Sequence, residues 1–168
     1  MNFQQIETKD LMMNPFQKIS SEWMLISAKK EDKINTMTAS WGMVGHLWGK
    51  DVVQVFIRPQ RYTKEFVDNS DTFTISFFDG NYKKELGYLG SKSGRDEDKI
   101  ANVNFHPVEI NDAVTFEEAS LAIVCKKAYI DEFKEENFLN EADIEKWYPT
   151  KDYHTCYIGE IVNVYANK

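Results

Sequence analysis

The hydrophobic pattern of the chain consists of short apolar runs bounded by charged or turn-forming residues. Runs that are rich in β-branched and aromatic residues, and too short for typical helices, predict strands. Five strands are predicted in this way, over residues 23–28, 52–57, 72–78, 121–130 and 154–165. In the last strand one face is formed with a period of two, interrupted by Glu160, from His154, Cys156, Ile158, Val162 and Val164.

Helical patterns are confined to three short segments, 62–69, 96–103 and 141–147. The second opens with three acidic residues, as a helix start prefers, and the third follows the candidate cap Asn140 and stops at Pro149. Because the strands do not alternate with long helices, the pattern favours a mainly antiparallel β-barrel with peripheral helices over a parallel doubly wound sheet. Residues 1–168, without repeats or linkers, are predicted to form a single domain.

The charge balance narrows the function classes. The 168 residues include 20 Lys and Arg against 27 Asp and Glu, a net charge of −7, which disfavours binding to nucleic acid phosphates. No apolar run reaches the roughly 18 residues of a transmembrane helix, and no secretory signal is recognisable at the start. We therefore predict a cytoplasmic protein with no nucleic acid or membrane partner. Rossmann and P-loop motifs are also absent from the sequence.

The cysteines and histidines point away from a metal site. Cys125 and Cys156 lie in strand-like segments, where free cysteines pack as small hydrophobes, so we predict two buried thiols. His46, His106 and His154 form no i,i+4 pair and flank no Cys-x-x-Cys.

A first candidate for chemistry is a small, hydroxyl-rich segment after the first strand and its charged turn. It runs Asn35, Thr36, Met37, Thr38, Ala39, Ser40, Trp41, Gly42. Its N–H groups and hydroxyls could bind a planar ring with polar edges, with Trp41 as a wall. Composition alone is also typical of an ordinary strand whose Thr and Ser face solvent.

Two further candidates are short basic segments. The first, 58–65, places Arg58, Arg61 and Thr63 at a helix start, where unpaired N–H groups favour an anion. The second, 91–99, combines Lys92 and Arg95 with a flexible Ser- and Gly-rich stretch. A solvated turn or a plain capped loop explains either segment singly. Together, such local cations in an acidic chain favour a small phosphorylated ligand over a polymer.

The fourth candidate is His154, at the start of the last predicted strand. A lone histidine on a mostly apolar face is usually a satisfied core residue. The functional alternative is hydrogen bonding or proton transfer beside a reactive group.

These segments carry a resemblance that spans residues 22–164. Its motifs, in order, are Asn35-x-Met37-Thr38-Ala39-Ser40-Trp41-Gly42, Arg58-Pro59-x-Arg61-Tyr62-Thr63-x-Glu65-Phe66, Ser76-Phe77-Phe78, Leu89-Gly90-x-x-Ser93-Gly94-Arg95-Asp96-x-Asp98-Lys99 and His154-x-x-Tyr157-Ile158-Gly159-Glu160-Ile161. This ordered set resembles the flavin reductase-like family that includes flavoredoxin. The resemblance implies an antiparallel split β-barrel homodimer that binds FMN near the subunit interface and exchanges electrons with NADH or NADPH, free flavin or a redox partner protein.

The resemblance also implies roles for individual residues. The ring of FMN would be lined by Thr36, Met37, Thr38, Ala39, Ser40 and Trp41, with Asn35 beside them. Its phosphate would be held by Arg58, Arg61, Tyr62 and Thr63 together with Ser91, Lys92 and Ser93. His154 would approach the flavin or the nicotinamide as the catalytic residue.

Two alternatives to a reductase stay open. An FMN-containing electron carrier would dock to a redox partner without oxidising NAD(P)H itself. A cofactor-free or haem-type relative on the same barrel would have only His46 and His106 as further axial ligands.

Overall fold

The computed structural model describes residues 3–110 and 112–167. The strands in this part of the chain are β1 (Phe3–Ile6), β2 (Met24–Lys30), β3 (Lys33–Ala39), β4 (Gly42–Leu47), β5 (Lys50–Ile57), β6 (Thr72–Phe77), β7 (Pro107–Ile110), β8 (Ala113–Phe116), β9 (Leu121–Glu132) and β10 (Thr155–Asn167). The helices are α1 (Pro15–Gln17), α2 (Tyr62–Asn69), α3 (Lys83–Ser91), α4 (Lys99–Asn102) and α5 (Glu141–Trp147).

One large sheet organises the molecule. Its strands run in the order β3-β2-β6-β9-β10-β5-β4, with β1 paired to the far half of β10, while β7 and β8 form a separate hairpin. All of these pairings are antiparallel. The predicted mainly antiparallel architecture with peripheral helices is therefore confirmed.

The two outer strands of that order, β3 and β4, are consecutive in sequence and are joined only by Ser40 and Trp41. Three Cα–Cα steps reach at most about 11 Å, so the opposite edges of the sheet must approach each other there. Gly42 on β4 shows how closely: a Cβ on it would lie 2.8 Å from Cε of Met24 on β2. The sheet is thus rolled into a split barrel, and residues 37–42 form what we call the seam.

The interior of the barrel holds the main core. It contains buried side chains from the central strands, among them Ile26, Val55, Ile75 and Tyr157, and is closed from outside by Phe66 and Val67 of α2. Burying a large apolar side chain stabilises a fold by about 1.5–3 kcal/mol. A second core, which packs α3 and the β7–β8 hairpin on the other face of the sheet, is formed by Leu25, Phe78, Leu86, Leu89, Phe105 and Phe116.

The predicted elements largely match the observed ones. The five predicted strands correspond to β2, β5, β6, β9 and β10, and helices 62–69 and 141–147 have the predicted bounds. Asn140 caps the second of these helices, because its side chain accepts a hydrogen bond from the N–H of Ala142. The prediction missed β1, β4, β7, β8, α1 and α3. It left open whether 35–42 is a strand; in the structure β3 covers this segment up to Ala39.

Two sequence predictions were wrong. The helix predicted over 96–103 is only the single turn of α4, because Asp98, and not Asp96, provides the cap through the N–H of Ala101. The second wrong prediction is the continuous apolar face of the last strand, because its residues do not all point to the same side of the sheet. The pairing of β10 with β9 shifts register twice, once after Ile158, which changes the side that successive residues face. Val162 accordingly has 43% of its surface exposed.

Cys125 and Cys156 are free and buried, as predicted. Within residues 3–110 and 112–167, no helix combines the length and apolar character that crossing a membrane requires.

Candidate functional site

The seam forms the wall of a small cleft, which we call the ring cleft. Met37 and Ala39 are buried in the wall, Trp41 is half-buried and Ser40 is exposed. The cleft measures about 180 Å³ and is lined by Met37, Thr38, Ala39, Ser40, Trp41, Phe56, Arg58, Arg61, Trp147 and His154. Five of the predicted ring-lining residues and the predicted catalytic histidine of a distant segment therefore meet at one place, together with Arg58 and Arg61.

Asn35 and Thr36 lie behind this wall. Asn35 is buried, and its Nδ2 donates to Oγ1 of Thr63 at 2.9 Å. Thr36 is fully buried, and its hydroxyl donates to the carbonyl of Ile26 at 3.1 Å. The structure thus differs from the expectation that the side chains of these residues and of Thr63 touch a ligand. Asn35 and Thr36 are neighbours in β3 and point to opposite faces of the strand, and each side chain is buried against a partner within the protein.

Arg58 also differs from the expectation of a free phosphate-binding cation. Its guanidinium donates to Oδ2 of Asp152 at 2.5 Å and to the carbonyl of Trp147 at 2.8 Å. Burial alone would raise the pKa of Asp152, but hydrogen bonds from Gln60, Arg58 and Thr150 outweigh it and hold that pKa well below its usual range. Arg58 therefore anchors the α5 segment over the ring cleft, with its charge matched by a carboxylate.

Arg61 is better placed for an anion. It carries five N–H donors, of which one is used, on the carbonyl of Gly90 at 2.8 Å. It is also the N-cap of α2, and no side chain caps this helix start. The first N–H groups of the helix, those of Tyr62 and Thr63, are the groups that such a start leaves for an anion.

The predicted phosphate loop, residues 91–93, lies where α3 ends, and we call it the anion loop. Ser91 and Lys92 are exposed, Ser93 is half-buried, and the Lys92 ammonium has no partner in the described part of the chain. The next residue, Gly94, packs so tightly that a Cβ would lie 2.3 Å from Oδ1 of Asn35. The loop is thereby held against β3, close to the start of α2.

A second cleft connects the anion loop with the ring cleft. It measures about 290 Å³, and we call it the helix cleft; its lining is Trp23, Thr38, Ala39, Ser40, Leu86, Gly87, Gly90 and Ser91. The hydroxyl of Thr38 donates to the carbonyl of Leu86 at 2.6 Å and so fixes α3 beside β3. Small-molecule sites usually have about 300–1,000 Å³, a size that the two clefts reach together.

His154 is 7% exposed, and its Nδ1 lies 2.8 Å from Oη of Tyr148. Burial lowers its pKa to about 4, assisted by the charge of Arg58. The imidazole is therefore neutral near pH 7, and it faces Trp41 with ring centroids 5.1 Å apart. Trp147 meets the same indole edge-on at 5.0 Å, which closes the cleft on that side.

The other two histidines lie at the surface. His46 pairs with Asp51 at 2.8 Å and His106 with Glu118 at 2.6 Å. Neither lines the ring cleft or the helix cleft. In residues 3–110 and 112–167 no group of three or more His, Cys, Asp or Glu side chains could hold a metal ion.

Sequence reasoning missed the segment that covers the cleft. Trp147, Tyr148 and Asp152 contribute a wall, a hydrogen bond and an ion pair to the site. The available signal was the dense aromatic stretch before His154, but its partners Trp41 and Arg58 lie far away in sequence.

An apolar groove adjoins the ring cleft. It measures about 670 Å³ and is lined by Pro15, Phe16, Ile19, Ser20, Ser40, Trp41, Gly42, Met43, Val44, Phe56 and Phe133. Phe16 and Met43, on its rim, expose 83% and 56% of their surface. Exposed apolar patches of this kind mark interaction sites.

Comparison with known proteins agrees with this geometry. The family model described as "Flavin reductase like domain" matches residues 16–168. No curated protein matches the sequence.

Solved structures of flavin reductase-like proteins have a fold similar to that of this chain. The FMN-binding domain of a flavin reductases-like enzyme from Shewanella baltica OS155 aligns with a TM-score of 0.72 at 18% identity, over 99% of this chain and 78% of that one. The flavoredoxin of Desulfovibrio vulgaris (Miyazaki F) aligns with a TM-score of 0.68 at 25% identity, over 87% and 69%. An NADH:FAD oxidoreductase of Streptomyces globisporus C-1027, in complex with NAD and FAD fragments, aligns with 0.64 at 15% identity, over 85% and 73%.

Proposed function

Because the chain belongs to the flavin reductase-like family, we propose that it binds FMN at the seam and reduces it with NADH or NADPH. One observation carries this proposal. The ring cleft and the helix cleft share Thr38, Ala39 and Ser40, so a planar wall and an anion site form one continuous surface. The relative from Streptomyces globisporus, an NADH:FAD oxidoreductase, supports the choice of reaction.

The donor set fits the phosphate of FMN. Arg61, at the start of α2, keeps donors free and holds the carbonyl of Gly90, next to the anion loop that carries the Lys92 ammonium and the hydroxyls of Ser91 and Ser93. The Ser93 hydroxyl accepts from the N–H of Arg95 and keeps its own hydrogen, whereas the Ser91 hydroxyl donates to the carbonyl of Tyr88. Arginine forks and helix N-termini both favour phosphate oxygens. Arg58 takes a supporting role instead, since Asp152 matches its charge.

The wall fits the ring. Trp41 and Met37 offer apolar surface, and β3, as an edge strand, leaves one row of backbone N–H and C=O groups without a strand partner. When bound, FMN supplies the hydride-accepting ring. Trp147 excludes water from one side of the cleft. The neutral imidazole of His154, held by Tyr148, provides a hydrogen bond for the ring or the nicotinamide.

FMN titrations test the proposal. The wild-type protein should bind one FMN per chain, with riboflavin binding more weakly because it has no phosphate. Lys92→Ala should weaken FMN about tenfold, as expected for a lost charge-assisted hydrogen bond, and leave riboflavin unchanged. The control is Lys84→Ala, an exposed lysine in α3, the helix that precedes the anion loop. Absence of FMN binding by the wild type, or equal losses for both ligands, would contradict the proposed site.

A second candidate is an FMN-containing electron carrier, favoured by the similarity to flavoredoxin. Stopped-flow bleaching of the flavin separates the two functions. A reductase is bleached by NADH or NADPH, and His154→Ala slows the bleaching with little change in FMN affinity. A carrier is bleached by a reduced protein partner and hardly at all by the nicotinamides.

We further propose that the chain is a homodimer that buries the apolar groove. A second copy would cover the exposed surfaces of Phe16 and Met43 beside the ring cleft. Met43→Glu should yield monomers by light scattering. Leu139→Glu, at a fully exposed leucine that does not line the groove, should leave the mass unchanged. A monomeric wild type at micromolar concentration would refute the dimer.

The two free thiols support the predicted cytoplasmic setting, where cysteines stay reduced.

A further inference from the structure

Lys99 is a buried cation that the proposed function does not yet use. Only 4% of its surface is exposed, although it begins the single-turn helix α4. Its Nζ donates to the carbonyl of Leu89 at 2.8 Å and to the carbonyl of Lys92 at 3.0 Å. Lysine is almost never fully buried unless it is paired. Here the partners are carbonyl groups and no carboxylate, so the charge itself is unmatched by direct contact.

The two carbonyls bracket the anion loop. Leu89 lies in the last turn of α3 and Lys92 at its C-cap, so Lys99 ties both ends of the turn that presents Ser91. Arg61 binds the carbonyl of Gly90 between them at 2.8 Å. Carbonyls at a helix C-terminus carry partial negative charge and favour cations, which accounts for this pair of contacts.

The two cations are close enough to oppose each other. Burial, together with a smaller contribution from the charge of Arg61, lowers the pKa of Lys99 to about 8. A dianion bound beside Arg61 would relieve this repulsion. Lys99 and Arg61 therefore hold two positive charges at the C-terminal end of α3, and a bound anion would neutralise them.

We propose that Lys99 is the positioning residue of the phosphate site: its ammonium fixes the backbone of the anion loop and adds positive charge beneath the bound phosphate. This inference rests on the proposed binding of FMN. Lys99 raises the affinity for the phosphate indirectly, by positioning the anion loop and by its charge beside Arg61, and it does not contact the ligand. Asn35 assists from the other side, since it leaves room for nothing larger than Gly94.

Other charged and titratable groups around Lys99 bear on its protonation. Glu97 favours the charged form. The remaining groups that line the cavity of about 460 Å³ next to Lys99 are Lys33, Tyr62, Arg95, Asp96 and Asp98. Arg95 is paired with Glu65 and stacks on Tyr62, and Asp98 is occupied as the cap of α4. The like charge that opposes the protonation of Lys99 is that of Arg61.

Dissociation constants for FMN and riboflavin across pH test this role. In the wild type, FMN affinity should fall several-fold between about pH 7 and pH 9.5 as Lys99 loses its proton, because the phosphate is a dianion throughout. Riboflavin affinity should not follow. Lys99→Met should weaken FMN at least tenfold at neutral pH and remove this slope, whereas Lys99→Arg, charged at every pH used, should keep the affinity without the slope.

The outcomes separate a positioning role from a structural one. Melting curves accompany each variant, and Lys84→Met is the matched control, with no expected change. If Lys99→Met weakens both flavins equally, or if its FMN slope persists, the inference is overturned. If Lys99→Arg does not fold, the wild-type and Lys99→Met slopes still decide the question. If the wild type binds riboflavin but shows no preference for FMN, only the phosphate site fails; if it binds neither flavin, the proposed function fails as well.

Discussion

Acid should destabilise this protein through His154, and the size of the effect follows from its burial. The folded state holds the pKa of His154 at about 4, below the ordinary value of 6.5. Between these values the unfolded chain binds a proton that the folded chain does not, so stability rises with pH. The contribution is present above the unfolded pKa and is lost as pH falls towards the folded one. Between about pH 7.5 and pH 5 the loss amounts to roughly 2 kcal/mol.

The variant His154→Asn removes the titration and keeps an amide oxygen near the hydroxyl of Tyr148. Its absolute stability should fall, because the smaller side chain leaves space in the core. The informative quantity is, for each protein, the difference in the free energy of unfolding between about pH 7.5 and pH 5. Urea unfolding followed by tryptophan fluorescence should show the wild type losing about 2 kcal/mol more than the variant.

His106→Asn provides a control of opposite sign. A hydrogen bond to Glu118 raises the pKa of His106, so its contribution is present at low pH and is lost as pH rises. Removing it should make the protein slightly more sensitive to acid. If wild type and His154→Asn lose equal stability on acidification, His154 is not held neutral in the folded state and the argument fails.

Three further predictions concern packing. Gly94→Ala should weaken FMN binding and lower the melting temperature, because its Cβ would meet a neighbour at 2.3 Å; Gly80→Ala, with open space around it, should change neither. Tyr157→Phe should cost about 1–2 kcal/mol in urea unfolding, since the buried phenol donates at 2.5 Å to an aspartate of α2; unchanged stability would show that this bond contributes nothing. Cys125 should react with a thiol reagent only upon unfolding, because burial raises its pKa and removes the thiolate; fast labelling of the native protein would contradict this.

The sequence predicted the strands that combine β-branched residues with strong hydrophobic contrast, such as β5 and β6. It left β3 undecided because Asn35, Thr36 and Thr38 are polar. Their burial depends on partners in other segments, namely Thr63, Ser27 and Leu86, which satisfy each hydroxyl or amide. Helix α3 was not predicted, because it contains two glycines, which lower helix propensity.

In the candidate site, too, local patterns were predictable from the sequence and pairings between distant segments were not. Local charge predicted Arg61 and Lys92 as candidate anion ligands, and both cations keep free donors in the structure. The carboxylate that occupies Arg58 lies 94 residues further along the chain. No local pattern encodes that pairing, because it forms only when the α5 segment folds back over the seam.

The position of β10 has a consequence for how the protein is made. This strand lies between β9 and β5 and also pairs with β1, yet it is the last of the described strands to leave the ribosome. Until then β5 and β9 lack the partner between them, and their unpaired edges are exposed to other chains. His154, one residue before β10, arrives at the same moment. The same step of synthesis therefore completes both the sheet and the ring cleft, and before it the unpaired edges of β5 and β9 can pair with other chains.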